Sequence, residues 1–255
     1  VGIYNNTVNV NDVDVIGIEV STLHGNLEVQ QNVIHDLIAN VGILIHGVYG
    51  RGTVLRNVVD AHFNMGIRVD QFVGPLMIAH NTLYNVSSIG IWFTSTVASS
   101  TGVKNNIVVG TDASGTIGVQ GGTSGNFTNG VGFNDIYNCN LASGTYSPAN
   151  GDISVDPMFL NVTAGDYRLN STSPCVDAGT DIGLPYTGLA PDMGAFESPA
   201  GLLGLLQDLK SEILALPDSA FTFSTFFSPS AMRSLFLYCV DTAIAHVESG
   251  DHLQA

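Results

Sequence analysis

Apolar and polar residues alternate along short stretches of the chain, and the stretches recur. Ile18-Glu19-Val20, Ile67-Arg68-Val69 and Ile91-Trp92-Phe93 each set two apolar residues on either side of one that points the other way. That period of two is the mark of a strand with one buried face. A glycine precedes each first apolar residue, and Gly17-Ile18, Gly42-Ile43, Gly66-Ile67, Gly90-Ile91 and Gly118-Val119 follow one another at steps of 25, 24, 24 and 28 residues. A second column, Asn6, Asn32, Asn57, Asn81 and Asn106, advances by 26, 25, 24 and 25. Two residues after each asparagine stands an aliphatic: Val8, Ile34, Val59, Leu83 and Val108. Two markers in constant phase define a unit of about 25 residues, which buries its apolar side only when the next unit stacks upon it.

The expected architecture is therefore all-β, a solenoid of stacked parallel strands over residues 1–157. The asparagine column belongs at a bend between strands, where each side-chain amide bonds the amide of the adjacent coil and satisfies main-chain groups of the turn. This mixture of Asn, β-branched residues and Gly resembles the right-handed parallel β-helix repeats of the pectate-lyase-like superfamily. That resemblance implies a fold and no single activity, because the superfamily holds polysaccharide lyases, glycoside hydrolases, epimerases, adhesins and phage tailspikes.

The periodicity ends near residue 157. Asp156-Pro157-Met158-Phe159, Gly165-Asp166-Tyr167-Arg168-Leu169, Ser173-Pro174-Cys175-Val176-Asp177-Ala178-Gly179 and Asp192-Met193-Gly194-Ala195-Phe196-Glu197 resemble the closing module of bacterial surface β-helix proteins of the choice-of-anchor type. The resemblance implies a C-terminal cap over 158–198 and an extracellular or cell-surface setting in a bacterium. Beyond Pro199, Leu202, Leu205, Leu206, Leu209, Ile213 and Leu216 take helical spacing up to Pro217. A second helix opens at Ser228-Pro229 and runs through Met232, Leu235, Phe236, Cys239, Val240, Ala243, Ile244 and Val247 to Gly250. Residues 199–255 are thus expected to form a short α-helical hairpin.

Composition narrows the partners. Seven Lys plus Arg against 22 Asp plus Glu leave a net charge of −15, a field that repels nucleic acid and anionic membranes. No apolar run is long enough to span a bilayer. Three cysteines, Cys139, Cys175 and Cys239, are too few and too scattered for a disulfide framework or a zinc site, although a pair that meets in space can oxidise.

Alignment on the Gly-Ile marker places outward residues in register. Glu19, Leu44, Arg68, Trp92 and Gln120 form one column, and Ser21, His46, Asp70 and Thr94 form the next. Coils about 4.8 Å apart bring Arg68 beside Trp92 and His46 near Asp70. The strip is the candidate polysaccharide site, with Trp92 as aromatic platform and Glu19 and Gln120 as hydroxyl-binding groups. For elimination chemistry, which the superfamily performs with an Arg or Lys base, the matching residues are Arg68, Asp70 and His46. For hydrolysis, Glu19 and Asp70 must lie within about 5–9.5 Å. The acidic residues of the closing module, Asp177, Asp181 and Asp192, are candidate calcium ligands, or else hold turn amides. Gln31, Arg56, His80 and Asn105 adjoin the asparagine column as a second, exposed group, with His35, Asp60 and Tyr84 beyond. The alternative function is a structural or adhesive solenoid that self-associates through its ends or through the hairpin without catalysis, since open strand edges at Val1-Gly2-Ile3-Tyr4 need cover.

Overall fold

The computed structural model describes residues 1–10, 15–36, 40–60, 64–95, 100–113, 115–121, 130–140, 150–221 and 228–249. It is a parallel β-solenoid of three sheets. Sheet A stacks Gly2–Tyr4, Leu27–Gln30, Gly52–Leu55, Leu76–Ala79, Gly102–Lys104 and Val131–Gly132. Sheet B stacks Thr7–Val10, Val33–Asp36, Val58–Asp60, Thr82–Val86, Ile107–Gly110 and Asp135–Tyr137. Sheet C stacks Ile16–His24, Val41–Tyr49, Met65–Val73, Ile89–Phe93 and Ile117–Gln120. All pairings within these three sheets are parallel, and each joins a strand to its equivalent one coil away.

The asparagine column sits at the bend from sheet A to sheet B. The residue before each asparagine is left-handed, with φ of 54° at Asn5, 56° at Gln31, 54° at Arg56, 52° at His80, 56° at Asn105 and 59° at Phe133. Such a bend turns main-chain groups away from the sheet ladders, inside a buried wall where each needs a partner. The asparagines supply it. The Asn57 Oδ1 accepts from the main-chain N–H and the side-chain amide of Asn32, both at 3.0 Å. Its Nδ2 donates to the Val29 carbonyl and to Asn81 Oδ1, both at 2.9 Å. The same rungs join Asn6 to Asn32, Asn81 to Asn106, and Asn106 to Asn134. Asn134 then donates to Asp152 Oδ1 from its main chain at 2.8 Å and its side chain at 3.1 Å. A carboxylate only accepts, so it closes a ladder whose every rung donates toward the C-terminus.

The glycine column has an equally local cause. A Cβ on Gly66 would fall 2.7 Å from the Gly90 carbonyl oxygen and 2.8 Å from Leu83 Cδ1, and one on Gly90 would fall 2.5 Å from the Gly118 oxygen and from Val108 Cγ1. Sheet C is thus bare where the inward aliphatics of sheet B press against it. Both repeat markers belong to one contact. Around it Ile34, Val59, Leu83 and Val108 pack with Ile43, Ile67 and Ile91 and with Val29, Val54 and Ile78 in one continuous core.

Residues 156–198 lie along the flank of the solenoid, over sheet B. A small antiparallel pair, Phe159–Asn161 with Asp166–Leu169, brings Phe159 and Tyr167 onto Tyr84, with ring centroids 6.0 and 5.3 Å away. Further on, the Ala195 N–H donates to Thr82 Oγ1 at 2.9 Å, the Gly194 N–H to the Asn105 carbonyl at 2.7 Å, and Arg56 Nη2 to the Pro185 carbonyl at 2.7 Å. Two helices follow, α1 (Ala200–Ala215) and α2 (Pro229–Ser249). They form an antiparallel hairpin around Ile213, Phe221 and Val240. Ser228 Oγ accepts from the Ala231 N–H at 3.2 Å as the expected N-cap. Arg233, in the first turns of α2, bonds the Ile213 and Leu214 carbonyls at the end of α1. The expected stop at Gly250 lies outside the described residues. Among the described residues no helix is long and apolar enough to cross a membrane.

Two substitutions test this framework by urea denaturation. Asn57→Asp sets a carboxylate oxygen against the Val29 carbonyl and Asn81 Oδ1 and is expected to cost about 3 kcal/mol or more, whereas Asp152→Asn keeps an accepting oxygen and costs less than about 1 kcal/mol. Gly66→Ala is expected to cost about 1–3 kcal/mol through overpacking.

Candidate functional site

On sheet C the expected outward columns are in register. Glu19 pairs with Leu44, Leu44 with Arg68, Arg68 with Trp92, and Trp92 with Gln120. Ser21, His46 and Asp70 form the neighbouring column. Asp70 is the centre of a network. It accepts from Arg68 Nε at 3.0 Å, pairs with Arg68 Nη2 at 2.9 Å, and accepts from Thr94 Oγ1 at 2.5 Å. His46 Nδ1 lies 3.9 Å from its other oxygen. The Arg68 guanidinium stands over the Trp92 ring, 5.0 Å from the centroid, a cation–π contact.

This geometry changes the roles expected of the residues. An elimination base must reach substrate with a free nitrogen, yet two donors of Arg68 are committed to Asp70 and its face to Trp92. The Trp92 ring in turn has one face taken, so it is a support for Arg68 more than an open platform. Glu19 lies two coils from the Asp70 strand, about 10 Å by stacking, at the margin of the spacing of a hydrolytic carboxylate pair. What remains is a pre-ordered polar surface with fixed hydrogen-bonding directions and a self-neutralised ion pair.

The candidate calcium ligands do not converge. Asp177 Oδ1 accepts from the Leu189 and Ala190 N–H groups at 2.9 and 3.2 Å. Asp192 accepts from the N–H groups of Asp177 at 2.8 Å and Ser198 at 2.6 Å, and Asp181 from Gly183 at 2.7 Å. Each carboxylate holds a turn, and among the described residues no three His, Cys, Asp or Glu side chains group to hold a metal ion. The donor set therefore does not fit calcium. The cysteines are free, with Cys139 and Cys175 buried and Cys239 exposed.

The second group is not exposed throughout. His80 and Asn105 are buried beneath the flank module. Asn105 Oδ1 accepts from the Thr180 N–H at 2.9 Å and its Nδ2 donates to the Thr180 carbonyl at 2.8 Å, so the amide presents a donor to His80 Nε2, 2.9 Å away. That nitrogen must accept, which requires neutral imidazole. Burial, with the Arg56 charge adding to it, lowers the His80 pKa from 6.5 to about 4. Elsewhere in the seam burial raises the carboxyl pKa of Asp192 to about 7, and that of Asp135, which accepts from the Cys175 thiol at 3.2 Å, also to about 7. His35 Nδ1 meets Asp60 Oδ2 at 3.3 Å.

Sequence reasoning missed one feature of sheet C. Its three longest strands contain a left-handed residue, Thr22 (φ 53°), Gly47 (φ 63°) or Gln71 (φ 55°), after which the facing of side chains changes parity. Beyond this kink His24, Tyr49 and Val73 stand in register on the outside. The signal was present, since each lies seven residues past a marker glycine. No protein-family model matches the chain, nor does any curated protein or solved structure.

The His80 geometry sets a pH dependence. Because the folded pKa is depressed, the unfolded chain binds the extra proton between about pH 6.5 and 4, and the stability this group contributes above pH 6.5 is lost as pH falls through that window. Urea midpoints at pH 7 and 4.5 for the wild type and His80→Gln separate this from the seam carboxylates: the wild type is expected to lose about 2–3 kcal/mol relative to the variant.

Proposed function

We propose that this protein binds polysaccharide along the outward face of sheet C, outside the cell, and that it binds without cleaving. The observation that carries the reading is the Asp70 network, in which Arg68, Thr94 and Trp92 from two adjacent coils are locked into one surface beside His46. Groups held by their neighbours lose little freedom when a ligand hydroxyl docks, which favours binding. The commitment of Arg68 to Asp70 argues against an elimination base. Membership of the pectate-lyase-like superfamily, with a surface-protein closing module of bacterial type, is part of the same proposal and rests on the repeat and the motifs of residues 156–197.

A second reading draws on the helical hairpin. Leu214 is 51% exposed, Leu235 50% and Tyr238 69%, apolar surface that suits a structural or adhesive protein associating through this element.

A glycan array and a turnover assay with and without calcium test the first reading. Binding is expected without calcium, with no unsaturated product, and Asp70→Ala is expected to weaken it about tenfold by releasing Arg68 and Thr94. Unsaturated sugar formed by the wild type and lost in Arg68→Ala would overturn the non-catalytic assignment.

A further inference from the structure

Beyond the kink of sheet C the surface changes character. His24, Tyr49 and Val73 occupy equivalent positions in three successive coils, about 4.8 Å apart. The His24 and Tyr49 rings stack nearly parallel, 4.9 Å between centroids and 18° between planes. The next coil carries a valine, whose side chain ends two carbons from Cα. The tyrosine therefore overhangs a shorter neighbour, in keeping with exposures of 46% for Tyr49 and 59% for Val73. Trp92 differs, because it stands between the Arg68 guanidinium and Gln120 of the next coil, with no short neighbour beside its second face.

What suits such a ring is set by its surroundings. His46 lies three residues earlier on the same strand and Asp70 pairs beside it, with the exposed Gln71 next along. One open aromatic face rimmed by hydrogen-bonding side chains matches an amphipathic ring, apolar on its C–H face and polar at its edge, better than it matches a broad apolar partner. Charge narrows the class further. The strip's arginine is neutralised by Asp70, Glu19 is exposed, and the chain carries a net charge of −15, so a polyanion meets repulsion with no uncommitted cation on the strip to offset it.

We infer that Tyr49 is the stacking platform of the sheet C site and that its ligand is a neutral glycan, running along the strand direction with one pyranose ring on Tyr49 and its neighbours toward the Asp70 network. This rests on the glycan-binding reading above. Titration calorimetry tests it with a panel of neutral oligomers of glucose, mannose, galactose and xylose beside oligogalacturonate, for the wild type, Tyr49→Ala, Tyr49→Phe and Trp92→Ala. A neutral oligomer is expected to bind the wild type and Tyr49→Phe alike and to lose about tenfold or more in affinity with Tyr49→Ala. Undiminished affinity in Tyr49→Ala would overturn the platform while leaving glycan binding in place. Tighter binding of oligogalacturonate than of every neutral oligomer would overturn the ligand class alone. Silence of the wild type toward the whole panel would remove both the inference and the reading beneath it.

Discussion

The asparagine ladder is the constraint on which the remainder of the structure depends. Each coil must turn from sheet A into sheet B through a left-handed residue, a conformation that costs non-glycine residues about 1–2 kcal/mol, and must do so inside a buried wall. Only a side chain that donates and accepts in one plane can serve the turn in its own coil and both neighbours. Asn32, Asn57, Asn81, Asn106 and Asn134 are all fully buried there. Apolar residues at these positions would leave unmet main-chain groups, and acidic ones would place acceptors against acceptors; Asp152 is tolerated because it ends the column and only accepts, from Asn134.

A ladder fixed at one corner fixes the register everywhere. With the corner pinned, the sheet B aliphatics fall on the bare glycines of sheet C, and the outward columns align to within a side chain. The flank module then covers one of the three sheets. It covers sheet B with Phe159, Tyr167 and Ala195 and grips the left-handed corner through Arg56, His80 and Asn105. Sheet C is left as a long outward face in register. Local turn chemistry in this way determines which side chains stand together on the outside.

Much of this was legible in the sequence because a solenoid repeats its physics at constant intervals. The Asn and Gly columns, the inward aliphatics and the order Glu19, Leu44, Arg68, Trp92, Gln120 all follow from one phase. Legibility failed where the phase broke. Asn134 follows Asn106 by 28 residues and Asp152 follows Asn134 by only 18, so the lower ladder lay outside a period near 25. The kinks at Thr22, Gly47 and Gln71 reverse strand parity at residues of different types, so Tyr49 kept its phase with the marker glycines while its facing did not follow from alternation. Nothing in a linear pattern tells a module to fold along a flank, and so His80 and Asn105 read as exposed. The commitment of Arg68 to Asp70 depends on side-chain geometry that register alone does not specify.

Hydrogen exchange followed by NMR tests the ladder most directly, because it reads the bonds without altering them. The account predicts that the main-chain amides of Asn32, Asn57, Asn81 and Asn106, and the side-chain amides of Asn57 and Asn81, are among the slowest in the protein and open only with global unfolding. Exchange of these protons as fast as that of the exposed Asn26 would show that the corner is not pinned by the asparagines, and would contradict the account.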